Sequence, residues 1–180
     1  MSGTSMASPH VAGVAALVKE YLVKHHPELT PEQVSATVKA LIMSTAKPHV
    51  NKETGVYTSP RQQGAGVVDT AAAVSTDLYV TGENNYPSVT LGNVGDSFTF
   101  DVTVHNISDT DRTLKMLVNT DTDEVKDGKF TLRPRKLTET AWPEVTVKAH
   151  SSETVTVKVD TSKFTEELSK EMPNEIGRAH

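Results

Sequence analysis

The spacing of hydrophobic residues in this chain changes near Ser75 from a helical period to a strand period. Before Ser75, apolar residues recur three or four positions apart, as on an amphipathic helix: Val11, Val14, Ala15, Val18 and Leu22. After Ser75, apolar residues alternate with polar ones, as in the stretch SFTFDVTVHN, and this pattern is typical of half-buried strands. We therefore predict a helical part followed by a β part.

A second helix is predicted to start after Thr30. Thr30 is a good N-cap, Pro31 suits the first helical position, and Gln33 completes a capping box. The predicted buried stripe of this helix is Val34, Val38, Leu41 and Ile42.

A polar loop from Lys47 to Gln63 is predicted next, followed by the stretch GAGVVDTAAAV. Here we predict a close backbone approach at Gly64 and Gly66 and a short helix capped by Asp69. In the loop, we expect Arg61, Gln62 and Gln63 to hold the segment against the domain.

The β part shows short alternating segments separated by turn signals. The strand candidates after SFTFDVTVHN are RTLKMLVNT, EVTVKA and ETVTVKVD, with valines 145, 147, 155, 157 and 159 facing inward, and the turns are NISDTD, KDGK and AHSSE. Five or six strands predict an antiparallel β-sandwich that is incomplete, because an immunoglobulin-like fold has about seven. The stretch KFTEELSKEM after Asp160 is predicted to be helical.

Composition and charge exclude several classes of function. The net charge of −5 argues against a nucleic-acid partner, which would favour a basic patch. The chain has no cysteine, so it has no disulfides. No apolar run reaches the roughly 18 residues of a membrane span, and VAGVAALV lacks the basic region of a signal peptide.

The opening stretch GTSMASPHVAG places a serine in the first turn of a predicted helix. Backbone N–H groups there lack intrahelical partners and sit at the positive end of the helix dipole, which suits a serine whose oxyanion must be stabilised. Gly3 would let the backbone pass close to a substrate. On residue types alone, Ser5 also fits a plain helix cap.

The longer string GTSMASPHVAGVAAL resembles the catalytic-serine segment of the subtilisin-like (subtilase) serine peptidases. The resemblance covers residues 1–75 and implies that Ser5 is the nucleophile, with its own N–H as one oxyanion donor. It also implies supporting positions around the nucleophile: Gly3, Thr4, Met6, Pro9 and His10, the last two in the first turn of the helix. The aspartate and histidine of the family's triad precede the serine in chain order, so this segment lacks them.

The stretch TSPRQQGAGVVD, followed directly by a β part, resembles the cell-envelope proteinases of Gram-positive bacteria within this family. There a fibronectin-III-like domain follows the catalytic domain. The implied fold class is the helical C-terminal piece of an α/β subtilisin-like domain followed by an incomplete antiparallel sandwich. We expect the first in residues 1–75 and the second in residues 76–174. Because EIGRAH departs from the expected apolar strand, residues 175–180 are expected to be a non-native tail.

The resemblance implies a serine endopeptidase at the cell surface or cell wall, acting on protein or peptide substrates together with the N-terminal part of its catalytic domain. The 180-residue chain alone is expected to be inactive. No cofactor is expected in this segment; calcium in the intact protein cannot be assigned, although NTDTDEVKDGK has a partial likeness to a calcium loop. The alternatives are a stand-alone β-sandwich adhesion or binding module and a catalytically dead pseudogene product.

The seven histidines offer no base for Ser5 by sequence position. His10 lies five residues beyond Ser5 on the same predicted helix and is expected to point away from it. The others are expected to be solvated or loop residues: His25, His26, His49, His105, His150 and His180.

Overall fold

The computed structural model describes residues 3–127 and 129–171. Four helices form the first part: α1 (Thr4–His25), α2 (Pro31–Thr45), α3 (Pro60–Gln63) and α4 (Thr70–Ala73). Five strands follow: β1 (Leu78–Thr81), β2 (Ser97–Asn106), β3 (Arg112–Lys126), β4 (Lys129–Val147) and β5 (Ser151–Asp160). Two short 3-10 helices (Glu83–Asn85 and Ser162–Phe164) and α5 (Thr165–Glu171) complete the described chain. The predicted change from helices to strands is confirmed.

The helical core lies between α1, α2 and α4. Its fully or nearly fully buried members are Val14, Val18, Leu22, Val34, Leu41 and Ala73. Val38 and Ile42 pack against them, so the predicted stripe of α2 is confirmed. The stripe of α1 is shorter than predicted, because Val11 is 40% exposed.

The predicted capping box at the start of α2 is present. The N–H of Gln33 donates to the hydroxyl oxygen of Thr30 at 3.3 Å, and the N–H of Thr30 donates to the side-chain oxygen of Gln33 at 2.8 Å. These two bonds satisfy N–H groups that a helix start leaves without intrahelical partners.

The loop between α2 and α4 is held by two isolated bridges, Lys47 with Val67 and Val50 with Tyr57. The side chain of Gln63 accepts from the N–H of His49 and donates to the carbonyl of Thr58, both at 2.5 Å. Gln63 therefore holds the loop to itself, and these bonds do not join it to the rest of the domain as predicted.

The two glycines of the GAG motif have different roles. A Cβ on Gly66 would lie 2.3 Å from the carbonyl oxygen of Lys47, as the predicted close approach requires. At Gly64 that prediction is wrong, since a Cβ there would meet nothing within 4 Å. Gly64 instead ends α3 with a φ of 62°, a left-handed conformation that favours glycine.

Replacing Gly66 with alanine is expected to lower the free energy of unfolding by about 2–4 kcal/mol, because the new Cβ meets backbone and the φ of 121° is strained for alanine. Gly13→Ala is the matched control. It lies inside α1 with open space around it, so it should raise stability by roughly 0.5–1 kcal/mol. Urea denaturation of both variants measures the difference; a Gly66→Ala chain as stable as the unmodified one would contradict the close approach.

The strands form two antiparallel sheets within the described residues. One has the order β1-β2-β5, and the other is the β3–β4 hairpin. Their most buried side chains are Val104 on β2, Val157 and Val159 on β5, and Val147 on β4, so both sheets contribute to the β core. An antiparallel, incomplete sandwich is thereby confirmed as the architecture of the second part.

The β3–β4 hairpin is longer than predicted. Strand β4 starts at Lys129, whereas the alternation in sequence indicated a strand only from Glu144. Between Lys129 and Glu144, Pro134 and the neighbouring charged residues interrupt the alternation of apolar and polar residues. In the structure Pro134 is fully buried and pairs with Asp123, next to a register shift between β3 and β4. A proline is tolerated in a strand where an irregularity removes the need for its N–H.

The stretch that resembled a calcium loop is part of this hairpin. Residues 119–126 belong to strand β3. The stretch therefore has a strand conformation up to Lys126 and not the loop conformation that the partial likeness suggested, and calcium binding by it stays untested.

The helical part and the first sheet meet at Asp77, just before β1. The hydroxyl of Tyr21 donates to Oδ1 of Asp77 at 2.6 Å, and Nε2 of His26 lies 3.0 Å from the same oxygen. Tyr79 on β1 and Ile107 after β2 pack against the helical core. The two parts therefore share a continuous contact rather than a bare connection.

The Tyr21 phenol is expected to make stability fall at alkaline pH. Burial raises the pKa of Tyr21 to about 12, and both the hydrogen bond with Asp77 and the negative charge of Asp77 act in the same direction. In an unfolded chain the pKa of a tyrosine is about 10. Between about pH 10 and pH 12 the unfolded chain loses a proton that the folded chain keeps. The contribution of Tyr21 to the free energy of unfolding is therefore complete below about pH 10 and is lost as the pH rises towards 12. Between about pH 10 and pH 12, the urea midpoint of Tyr21→Phe should fall less steeply with pH than that of the unmodified chain. Identical slopes for the two proteins would contradict this expectation.

Candidate active site

Ser5 is the second residue of α1, two positions after Gly3, which caps the helix. Gly3 has a φ of 152°, and its carbonyl accepts from the N–H groups of Met6 and Ala7 at 3.1 Å each. The N–H groups of Thr4 and Ser5 lie ahead of these first bonds, at the positive end of the helix dipole. This is the geometry in which a serine N–H can stabilise an oxyanion.

Pro9 and His10 lie in the second turn of α1, one turn later than the resemblance implied. Because proline has no N–H, Pro9 cannot donate the usual helical bond to the carbonyl of Ser5, four residues earlier. His10 lies close to the backbone of its own helix, with Nδ1 2.7 Å from the carbonyl oxygen of Met6. That bond occupies the His10 nitrogen and turns it away from Ser5.

The N-terminal half of α1 is exposed along its whole length. All residues from 3 to 13 are exposed, including Ser5, and only the later residues Val14, Val18 and Leu22 reach the core. The small residues Ala7, Ala12, Gly13 and Ala16 would allow tight packing, yet a Cβ on Gly13 would meet nothing within 4 Å. Within the described residues, the face that presents Ser5 is therefore open.

No histidine in the described part of the chain contacts Ser5. His49 is bonded to Thr58 at 2.8 Å and His150 to Asp109 at 2.8 Å, both exposed as expected. His25 is also exposed and packs its ring on Tyr21, with centroids 4.9 Å apart. His180, like the whole of the 175–180 tail, lies outside the described residues.

Two histidines are not solvated as expected: His26 is buried, and His105 is half-buried within strand β2. His26 is 7% exposed and its two ring nitrogens face Glu28, at 3.2 Å, and Asp77. His105 joins two neighbouring strands: its ring nitrogens lie 2.8 Å from the hydroxyl of Thr81 and 2.9 Å from that of Ser152. Burial lowers the pKa of His105, which favours the neutral ring. Both histidines are structural.

Metal-ligating groups do not cluster in the described residues: no set of three or more histidine or carboxylate side chains is arranged to hold an ion. None of the described helices is long and apolar enough to cross a membrane. In the part of the chain that the structure describes, Ser5 thus stands at a helix start without a hydrogen-bonded histidine.

Comparison with known proteins assigns the two parts separately. The model of the subtilase family matches residues 1–66, and the model of an Fn3-like domain matches residues 89–173. The first match contains α1 and Ser5, and the second contains β2 to β5.

Individual relatives span both parts. A C5a peptidase of Streptococcus pyogenes serotype M6 is 41% identical over 175 residues, which is 97% of this chain and 15% of the relative. A PI-type proteinase of Lactococcus lactis subsp. cremoris is 37% identical over 139 residues, covering 69% of this chain and 7% of that protein. The chain thus corresponds to a small part of the length of each.

These matches confirm the resemblance found in the sequence, including its peptidase subgroup. Ser5 lies inside the segment that the subtilase model matches, and the strands lie in the segment that the Fn3-like model matches. The chain combines a segment of the subtilase family of serine peptidases with an Fn3-like domain, as in a cell-envelope subtilase.

Proposed function

We propose that a longer protein carrying this chain is a cell-surface serine endopeptidase that cleaves peptide bonds through an acyl-enzyme on Ser5. One observation supports this most strongly: Ser5 lies at the start of α1, behind a glycine cap, in the segment that matches the subtilase family. A helix start alone would also fit a structural serine, but the family match makes the catalytic role the better explanation.

The chemistry begins with the Ser5 hydroxyl, which a histidine supplied by another segment deprotonates as Oγ attacks the substrate carbonyl carbon. The carbonyl oxygen becomes an oxyanion and accepts a hydrogen bond from the N–H of Ser5, at the positive end of α1. Collapse of this intermediate expels the amine, which takes the proton from histidine, and leaves the acyl group on Oγ. Water, deprotonated by the same histidine, then attacks the ester carbon; the acyl C–Oγ bond breaks, the carboxylic acid leaves, and the histidine returns the proton to Oγ.

The residues around Ser5 support its presentation. Gly3 turns the backbone into the helix at a φ of 152°, and Thr4 leads directly to the serine. Met6, next to the nucleophile and 36% exposed, is an expected site of oxidative inactivation. Pro9 leaves the carbonyl of Ser5 without its helical donor, and the ring of His10 is bonded to its own helix.

The 180-residue chain alone is proposed to be inactive. The members of a Ser-His-Asp triad act as a unit, so a serine without its histidine retains little catalysis. Only four residues precede Ser5 here, and the family places the aspartate and histidine before the serine.

The partners follow from the same assignment. The substrate is a protein or peptide, and the necessary intramolecular partner is the N-terminal part of the catalytic domain. The relatives named as a C5a peptidase and as lactococcal proteinases support a location outside the cell, at the surface or wall. Calcium binding elsewhere in the longer protein is compatible with this function, although the described residues contain no ligand cluster for it.

A fluorophosphonate probe, which reacts with activated serines, tests this proposal. The longer protein should be labelled, and Ser5→Ala should abolish the label. The isolated 180-residue chain should give only background labelling. Strong labelling of the isolated chain that is lost in Ser5→Ala would contradict the need for outside partners. An unlabelled but folded longer protein would favour the alternative, a β-sandwich binding or adhesion module without catalysis.

A further inference from the structure

The segment from residue 67 to residue 88 lies between the two family matches and belongs to neither. A segment in this position would ordinarily be a linker between two independent domains. Here it contains α4, β1 and Asp77, and its side chains contact both parts of the molecule. We call residues 67–88 the joint.

The first half of the joint is built into the helical core. Ala73 of α4 is completely buried within the core cluster. Asp69 caps α4 by accepting from the N–H of Ala72 at 3.0 Å, and its other oxygen lies 2.6 Å from Nζ of Lys47. The backbone of Val67 also pairs with that of Lys47 in both directions at 2.8 Å. The joint therefore starts as a fixed part of the helical region.

The second half of the joint ties β1 to α2. The N–H of Val80 donates to the hydroxyl of Ser44 at 2.9 Å, and Nζ of Lys39 lies 3.7 Å from the centre of the Tyr86 ring. At the same time β1 pairs with β2 over the whole of Leu78–Thr81. One strand is thus bonded to a helix of the first part and to a strand of the second.

Asp77, like Val80, is bonded to both parts from a single position. Its carboxylate receives Tyr21 and faces His26, both at the end of α1. Its backbone carbonyl accepts from the N–H of Ile107 at 2.9 Å, directly after β2. Because His26 is 7% exposed, removing the carboxylate would leave its buried Nε2 without this partner.

The surroundings of Asp77 are polar and bring together residues of both parts. A cavity of about 230 Å³ adjoins it, and its wall brings together groups from both parts: Tyr21, His25, His26, Glu28, Asp109 and His150. His150 and Asp109 bond to each other within the β part, whereas Tyr21 and His26 bond to Asp77 across the boundary. Asp77 is therefore the polar group in this wall that joins the two parts.

We propose that the joint makes the helical part and the β1-β2-β5 sheet one cooperative unfolding unit, with Asp77 as the residue that couples them. This inference concerns the folding of the chain and does not depend on peptidase activity. Two domains on a flexible linker would open independently, with separate free energies.

Hydrogen exchange on the full 180-residue chain tests the coupling. In the unmodified chain, amides of residues 14–26 and of residues 97–106 should exchange with one common opening free energy and the same dependence on denaturant. Asp77→Ala should separate them and lower the protection of residues 21–26 at least tenfold relative to β2. Asp77→Asn keeps an acceptor oxygen but loses the charge, so it should cause a smaller difference between the two opening free energies. It replaces the alanine variant in the test if that variant does not fold.

Asp109→Ala is the control for loss of a carboxylate, because its contact with His150 is exposed and lies wholly within the β part. It should leave the common opening free energy in place. Two different values in the unmodified chain would overturn the proposal. A lowered but still common value in both Asp77 variants would also overturn it, since Asp77 would then stabilise the fold without coupling its parts.

Discussion

Ser5→Ala in the active longer protein is expected to lower kcat/KM by about a millionfold, the scale known for loss of the triad serine in subtilisin. The reason is that the alanine cannot form the acyl-enzyme, so only oxyanion stabilisation and substrate binding remain. The N–H of residue 5 and the start of α1 are retained in this variant. KM should therefore change far less than kcat.

Ser35→Ala is a suitable control for this experiment. Ser35 is an exposed serine in α2, away from the start of α1, and its replacement should leave kcat/KM unchanged within twofold. Steady-state hydrolysis of a peptide substrate measures both variants. A Ser5→Ala protein that keeps a tenth of the activity would contradict the assignment of the nucleophile.

Leu22→Ala is expected to cost about 2–5 kcal/mol of unfolding free energy. Leu22 is fully buried between α1 and α2, and the alanine would leave a cavity in the helical core. Leu17→Ala is the matched control on the same helix, because Leu17 is 51% exposed and its loss should change stability by no more than about 0.5 kcal/mol.

Urea denaturation followed by circular dichroism compares the two leucine variants. If the joint couples the two parts, Leu22→Ala should lower the midpoint for the strands as well as for the helices. Equal effects of the two leucine replacements would contradict the core that the structure places between α1 and α2.

Local signals in the sequence were sufficient for the elements that depend on neighbouring residues. The capping box of Thr30 and Gln33 is formed within one helical turn, and it appears as predicted. The alternation in Ser97–Asn106 and Ser151–Asp160 likewise marks β2 and β5, because each strand has one face on the core.

Features that depend on distant contacts could not be read in the same way. Strand β4 carries Pro134 and several charges, and its identity as a strand follows from pairing with β3. The burial of His26 depends on Asp77, which lies 51 positions away. The different roles of Gly64 and Gly66 depend on how close Lys47 comes to each.

The candidate site was predictable as a motif but not as a complete site. The string around Ser5 is specific enough to indicate subtilase chemistry, and the family match to residues 1–66 agrees. What the motif did not indicate is that Pro9 lies in the second turn and that the first ten helical residues are exposed. Both depend on where the helix begins and on what packs against it.

The assignment of Ser5 as the nucleophile can be checked by locating the probe on the protein. The active longer protein would be treated with a fluorophosphonate, digested, and its modified peptide identified by mass spectrometry. A single adduct on Ser5 is expected, and it should be absent from protein inactivated beforehand by heat. An adduct on a different serine that accompanies full loss of activity, with Ser5 unmodified, would contradict it.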